Sequence, residues 1–427
     1  MLIGYLYFGA IFVIVVLLAI DMIRTNHKRL RALKNQFGTP PQNQNINFES
    51  VNALYRVCQA KSNHIIDDTT WNDLEMDRVF SQLDTCCSSI GEEYLYAVLR
   101  KPEFDTDKLL SRETLIRFLE ENEDARFAIQ IALLNIGKEP HNALAQLLFK
   151  DVPARRIRPV VLYWFLATLP IISTLLLLVS TKLGVASILF FSVINCVVYI
   201  RNKLSLEADF LTLRYLTSMI NGCNALSKKK FAGWDAFVTP IRTHLQPFRT
   251  ITGILTSTYV TKQVSFELQA LTGFFQMIFL DEIRNYNRIM RAVEDNKESL
   301  QKLFLEIGEI ETAISVLSYR KSSPNTCAPT FTNRNQIVFQ GLIHPLMPQA
   351  VPNRGNLDRG AIITGSNATG KSTFIKALAV NGILALTINT CTATYFETRP
   401  MLVMTSMALR DDICSGESYF VVEVNSI

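Results

Sequence analysis

Residues Gly365-Ser366-Asn367-Ala368-Thr369-Gly370-Lys371-Ser372, followed by Thr373, could cradle a phosphate chain. They satisfy G-x-x-x-x-G-K-[ST] in full. The glycines let the backbone curl so that successive N–H groups point inward at phosphate oxygens, and a helix beginning at the loop's end adds its positive pole. Lys371 would reach the β- and γ-phosphates as a mobile point charge. Ser372 would give its hydroxyl to a Mg²⁺ ion bridging the same phosphates. The chemistry expected of Gly365 through Thr373 is therefore binding of ATP with Mg²⁺. Such a loop needs a strand before it and a helix after it. AIIT (361–364) reads as the strand and STFIKALAV (372–380) as the helix.

The loop is more specific than a generic phosphate cradle. TGSNATGKST (364–373) resembles the TGPNMGGKST loop of the MutS family of DNA mismatch repair ATPases, and other segments match in the same order. IHP (343–345) falls where that family has an RHP-like turn. LRDDICSGESYFVVEV (409–424) is similar to DDLASGRSTFMVEM. LDTCCSSIGEEYLYAVLRKPEFDTDKLLSRETLIRFL (83–119) is similar to the start of the family's helical core, ending in a helix with R-x-x-x-I. The resemblance covers residues 66–150 and 204–427 and is strongest over 360–424. It implies an ABC-like ATPase working as a homodimer, each phosphate loop facing the partner's SG-x-S segment. Ser415, Gly416 and Ser418 would then lie near the γ-phosphate bound in trans, and Asn367 would match the family's loop asparagine. Asp411 and Asp412 precede that segment as they do in the family, or form a helix N-cap pair.

The departures carry equal weight. The mismatch-reading module with its Phe-x-Glu motif has no counterpart, and an apolar segment stands in its place. Val351 or Pro352 occupies the position where the family stacks an aromatic on adenine. The acidic Walker B strand and the final histidine would follow Ile427, so the general base is expected beyond residue 427. No catalytic residue is assigned within the sequence, which reads as a truncated product that hydrolyses ATP only if so completed.

The elements that must position this loop include three apolar runs. Residues 2–20 carry no charge and are long enough to cross most of a bilayer core. The basic cluster RTNHKRLRALK (24–34) follows this run, whereas a cleaved signal peptide has its positive charge before it. Residues 159–200 form a second apolar block, broken at STKLG, that reads as a transmembrane hairpin. Lys150, Arg155, Arg156 and Arg158 precede it, and Arg201 and Lys203 follow it. The positive-inside rule then places the N-terminus outside and the ATPase segment in the cytosol of a multi-pass inner or plasma membrane protein. Eight scattered cysteines offer neither zinc-ligand spacing nor a disulfide framework. The net charge of +5 on 427 residues does not by itself call for a polyanion.

The rest reads as mainly helical. DTDKLL signals a helix start at Asp105 or Thr106. Residues 262–296 and 297–321 carry apolar positions every three or four residues, as long packed helices do, and GFFQMIFL (273–280) reads as core packing. After SSPNTCAP (322–329) the text turns β-branched, with IVFQGLIHPLM and GAIITG as buried strands. The expected organisation is an anchor (1–23), a basic linker (24–65), a first helical core (66–150) and a transmembrane hairpin (151–203). Core and lever helices (204–322) and an incomplete P-loop ATPase domain (323–427) follow. The expected fold class is thus a mainly α helical core with three transmembrane helices and a partial α/β ATPase domain. The function this implies is an ATP-binding, membrane-tethered protein that clamps DNA as a dimer, the DNA resting on the resemblance alone. The alternatives are a membrane-associated ATPase that remodels or scaffolds a protein partner without DNA, and an inactive fragment.

Overall fold

The computed structural model describes residues 20, 23–41, 46–59, 64–139, 141–150, 157, 159–248, 253, 266–323, 325–347, 349–366 and 370–407. The apolar run 2–20, apart from its last residue, lies outside the described residues, as do Asn367, Ala368, Thr369, Asp411, Asp412, Ser415, Gly416 and Ser418. Along the chain run α1 (Asp68–Asp73), α2 (Ser89–Arg100), α3 (Thr106–Glu121), α4 (Val160–Leu175), α5 (Thr181–Ser227), α6 (Phe266–Phe279), α7 (Asp281–Asp295), α8 (Lys297–Ser322) and α9 (Lys371–Ile388). Four strands form one sheet: β1 (Thr330–Phe331), β2 (Ile337–Leu342), β3 (Asn353–Leu357) and β4 (Tyr395–Thr398), in the order β1-β4-β2-β3. The fold is mostly helical with this small mixed sheet. The chain divides into two units, Met1–Lys34 with Ala128–Glu306 and Asn35–Phe127 with Ile307–Ile427.

In the second unit local chemistry sets the helix starts. Asp67 caps α1, its carboxylate accepting from the Thr70 amide at 2.8 Å, and Ser88 caps α2. Asp105 caps α3, which begins at Thr106. Arg100, at the end of α2, lies 4.0 Å from the Trp71 ring centroid and 4.8 Å from that of Tyr55, and pairs with Asp68 at 2.8 Å. A buried cation over aromatic faces contributes about 2 kcal/mol. α2 approaches α8 so closely that a Cβ on Gly308 would sit 2.3 Å from the Tyr94 ring, so no larger residue fits there. In the sheet β4 pairs with β1 in parallel and with β2 antiparallel, and β2 pairs antiparallel with β3. α9 packs on this sheet, with Ala377 and Ala385 against Phe339, Leu342 and Phe396.

In the first unit α4 and α5 form an antiparallel hairpin whose outer surfaces are apolar and exposed. Val160–Leu178 and Thr181–Ser227 are long and apolar enough to cross a membrane, by length and composition. α5 is 47 residues long and runs on past Lys203, with non-helical angles only at Leu206. α6 packs against both hairpin helices, and α7 continues from it.

Four expectations need correction. AIIT (361–364) forms no strand, and Ile362 is 92% exposed. A strand exists only through hydrogen bonds to a neighbour, and no described segment pairs with these residues. The helical text over 262–296 breaks at Leu280, whose left-handed φ of 52° ends α6 and starts α7. GFFQMIFL is not simply core, because Phe274 and Phe275 are 53% and 56% exposed. Lys182 belongs to the first turn of α5 rather than to the hairpin break, which falls at Val179–Ser180.

Candidate phosphate-binding site

The described part of the loop is Gly365, Ser366, Gly370, Lys371, Ser372 and Thr373, at the start of α9. Gly370 caps α9 with a left-handed φ of 84°, a conformation that glycine adopts without steric cost, and a Cβ there would meet nothing within 4 Å. The carbonyl of Gly370 accepts the first helical bond, from the Phe374 amide at 2.9 Å. The amides of the first turn have no intrahelical acceptor, which leaves them for a ligand. Lys371 turns back over the loop, its ammonium bonded to the Gly365 carbonyl and, at 2.6 Å, to that of Ser366. Ser372 is exposed in the first turn. These residues fit a nucleotide phosphate and its Mg²⁺: free amides, an open space at Gly370, a cation over the loop and an accessible hydroxyl. The strand expected to lead in is missing, so the loop's approach is set from its helix side.

That side is firmly held. Phe374 lies 5.8 Å, centroid to centroid, from Phe339 of β2. Asn381 is fully buried in α9, and its amide donates to the carbonyls of Ile343 at 3.1 Å and Ala377 at 2.8 Å. Its carbonyl oxygen accepts from the Thr392 amide at 2.5 Å and hydroxyl at 3.0 Å. Lys376 pairs with Glu75 at 3.2 Å. His344, of the IHP turn, accepts from the Leu346 amide at 3.2 Å, and burial pushes its pKa below the ordinary imidazole value.

The opposite pole of α9 carries the residues that sequence reasoning missed. Arg112 of α3 donates to the Thr387 carbonyl and forks onto Glu309 at 2.6 and 2.7 Å. Tyr94 adds its hydroxyl to Glu309 at 2.8 Å. Arg320 of α8 donates to the Asn389 carbonyl at 2.8 Å and to the Thr390 hydroxyl at 2.9 Å, and forks onto Glu113 at 2.9 and 2.7 Å. Burial alone would raise both carboxyls, but the facing guanidinium outweighs it and holds Glu309 and Glu113 below the ordinary range. Two arginines thus sit on the negative pole of the helix whose positive pole faces the loop. Arg112 is the arginine of the R-x-x-x-I pattern, which was the one available signal. Arg320 had none. Val351, at the position expected against a base, is 82% exposed.

No protein-family profile matches the chain. It is similar to DNA mismatch repair protein MutS of Pseudothermotoga lettingae, 28% identical over 177 residues, covering 34% of this chain and 21% of that protein. It is also similar to the MutS proteins of Shouchella clausii (31% over 155 residues; 34% and 18%) and Thermotoga maritima (28% over 151 residues; 33% and 19%). These matches support a MutS-like relationship over about a third of the chain. They span about a fifth of the length of the curated relatives.

Proposed function

We propose that this protein is a membrane-tethered, MutS-like nucleotide-binding protein whose loop Gly365–Thr373 holds ATP. What carries the reading is the full phosphate-loop motif at the N-terminus of α9, with Gly370 left-handed and Lys371 folded over the loop. When bound, Mg²⁺ neutralises phosphate charge, and Ser372 is the residue here that would ligate it. Lys371 would exchange its bonds to the loop carbonyls for phosphate oxygens, and the first-turn amides of α9 would bind the remainder. On the MutS likeness, the working unit is a homodimer closing around DNA, with Ser415, Gly416 and Ser418 of one copy against the nucleotide of the other. The exposed apolar surfaces of α4 and α5 support the tether, a transmembrane hairpin in an inner or plasma membrane with the loop on the cytosolic side.

Binding of a fluorescent ATP analogue to the full chain in proteoliposomes tests the nucleotide site. Lys371→Ala removes a charge-assisted contact worth about 1.5–3 kcal/mol, a loss of roughly 10- to 150-fold. Equal affinity of wild type and variant would exclude the assignment. Fluorescence anisotropy with mismatched and branched duplexes across a salt series tests the DNA part, because phosphate binding is salt-dependent. No binding at any salt would rule it out. The hairpin favours a second reading, ATP-driven remodelling of a membrane protein partner. Co-purification of such a partner under ATP, with DNA dispensable, would select it.

A further inference from the structure

Asn195 of α5 is fully buried, six residues or ~9 Å of helix before Arg201, within the apolar stretch of the hairpin. Its side-chain amide donates to the carbonyls of Leu166 at 3.0 Å and Ile278 at 2.7 Å. Each carbonyl needs an outside donor, for a different reason. Leu166 lies four residues before Pro170, which sits inside α4 and has no N–H to return to it. Ile278 lies in the last turn of α6, where carbonyls have no intrahelical partner and the left-handed Leu280 ends the helix. In water both would be solvated at little cost; in hydrocarbon they must be satisfied inside the protein. One asparagine does this for a proline-containing hairpin helix and for the end of a third helix.

The described side chains of that third helix, from residue 273 on, include exposed aromatics. Phe274 and Phe275 are exposed, Phe275 stacks on Phe279 at 6.3 Å, and α6 packs on both hairpin helices. Phe165 on α4 and Leu189, Phe190 and Val193 on α5 are likewise exposed. Glu282 accepts from Tyr199 at 2.5 Å and from Arg214 at 3.3 Å, and Arg284 lies 4.4 Å over the Trp164 ring. Tyrosine and tryptophan are enriched at membrane–water boundaries, and Trp164 and Tyr199 lie close in sequence to Arg158 and Arg201 at the hairpin's outer ends.

We propose that α6 is a membrane-embedded helix, docked on the hairpin by Asn195, with Phe274 and Phe275 against lipid acyl chains. Its 14 residues span ~21 Å, short of the ~30 Å hydrocarbon core, so it enters the bilayer without crossing it. The proposal rests on the membrane reading of the hairpin, and its test separates the two. The full chain carrying Phe275→Trp is reconstituted into phosphatidylcholine vesicles, with acyl-chain-brominated phosphatidylcholine as contact quencher. The parent chain's emission is subtracted. Leu189→Trp on the hairpin is the reference, and Phe274→Trp is a second variant should the first misfold. Emission added at position 275 or 274 is expected to be quenched as strongly as that at 189. Quenching at 189 with none at 274 and 275 overturns the proposal and leaves the hairpin reading intact. No quenching at any of the three overturns both.

Discussion

Helices α5 and α9 are both long and apolar enough to cross a membrane, yet the molecule treats them differently. The most apolar window of α5 has a mean hydropathy of 2.3 with 17% of it buried in the protein; that of α9 has 1.3 with half of it buried. Each holds one fully buried asparagine that donates to two main-chain carbonyls. Around Asn381 of α9 lie a sheet, a threonine turn and two arginines capping the helix end. Among the described residues, two other helices and an apolar exterior lie around Asn195 of α5. Hydropathy reports what a helix can bury. What covers it decides whether it is a core helix or an exposed apolar surface.

Charge insertion breaks that comparison most sharply. Val380→Arg places an unpaired charge in the fully buried face of α9 and is expected to cost about 4 kcal/mol or more. Circular dichroism should show the second unit unfolded or its midpoint greatly lowered. Leu189→Arg on the exposed face of α5 should leave that unit's melting unchanged. It should penalise bilayer insertion by about 2.5–3.5 kcal/mol, read as the fraction released by alkaline carbonate extraction. Equal effects of the two variants on melting would erase the distinction.

A smaller contrast comes from the asparagines. Asn381→Leu strands the Thr392 amide, while the Ile343 carbonyl keeps the Thr392 hydroxyl at 2.8 Å, and should cost about 1–3 kcal/mol in chemical denaturation. Asn195→Leu removes hydrogen bonds between helices in an apolar setting, where such bonds average about 0.6 kcal/mol, so its effect on denaturation in detergent should be the smaller.

The smallest effects are those of pH, and they belong to the second unit. Glu309 and Glu113 have folded pKa values below their unfolded value of 4.5. Their contribution is therefore full above that value and lost as pH falls through the folded values. Arg320→Gln should flatten the acid limb of a melting-temperature profile. His344 is also depressed, from 6.5, but by burial. The unfolded chain takes up its proton first, so stability falls as pH drops below 6.5 and levels off below the folded value. His344→Gln should remove that slope and leave the carboxylate limb in place.

The start of α9 was legible because its chemistry is local. Two glycines, a lysine and a serine at fixed spacing before a helix-forming run specify a turn that needs no distant partner. The helix start at Asp105 was readable for the same reason. AIIT was misread as a strand because strand formation requires a neighbour that composition cannot supply. GFFQMIFL was misread as core because an apolar octet does not say which of its faces is covered.

The sequence alone determined where the backbone turns, where helices begin and which stretches are apolar, since these follow from side chains within a few residues of one another. Tertiary structure alone decided that Arg112 and Arg320 hold the far pole of the phosphate-loop helix, across separations of 275 and 69 residues. It also decided that Asn195 satisfies two carbonyls left open by a proline and by a left-handed leucine. The physical reason is the same in both cases: a buried carbonyl must find a donor, and nothing in the local sequence says where on the chain that donor lies.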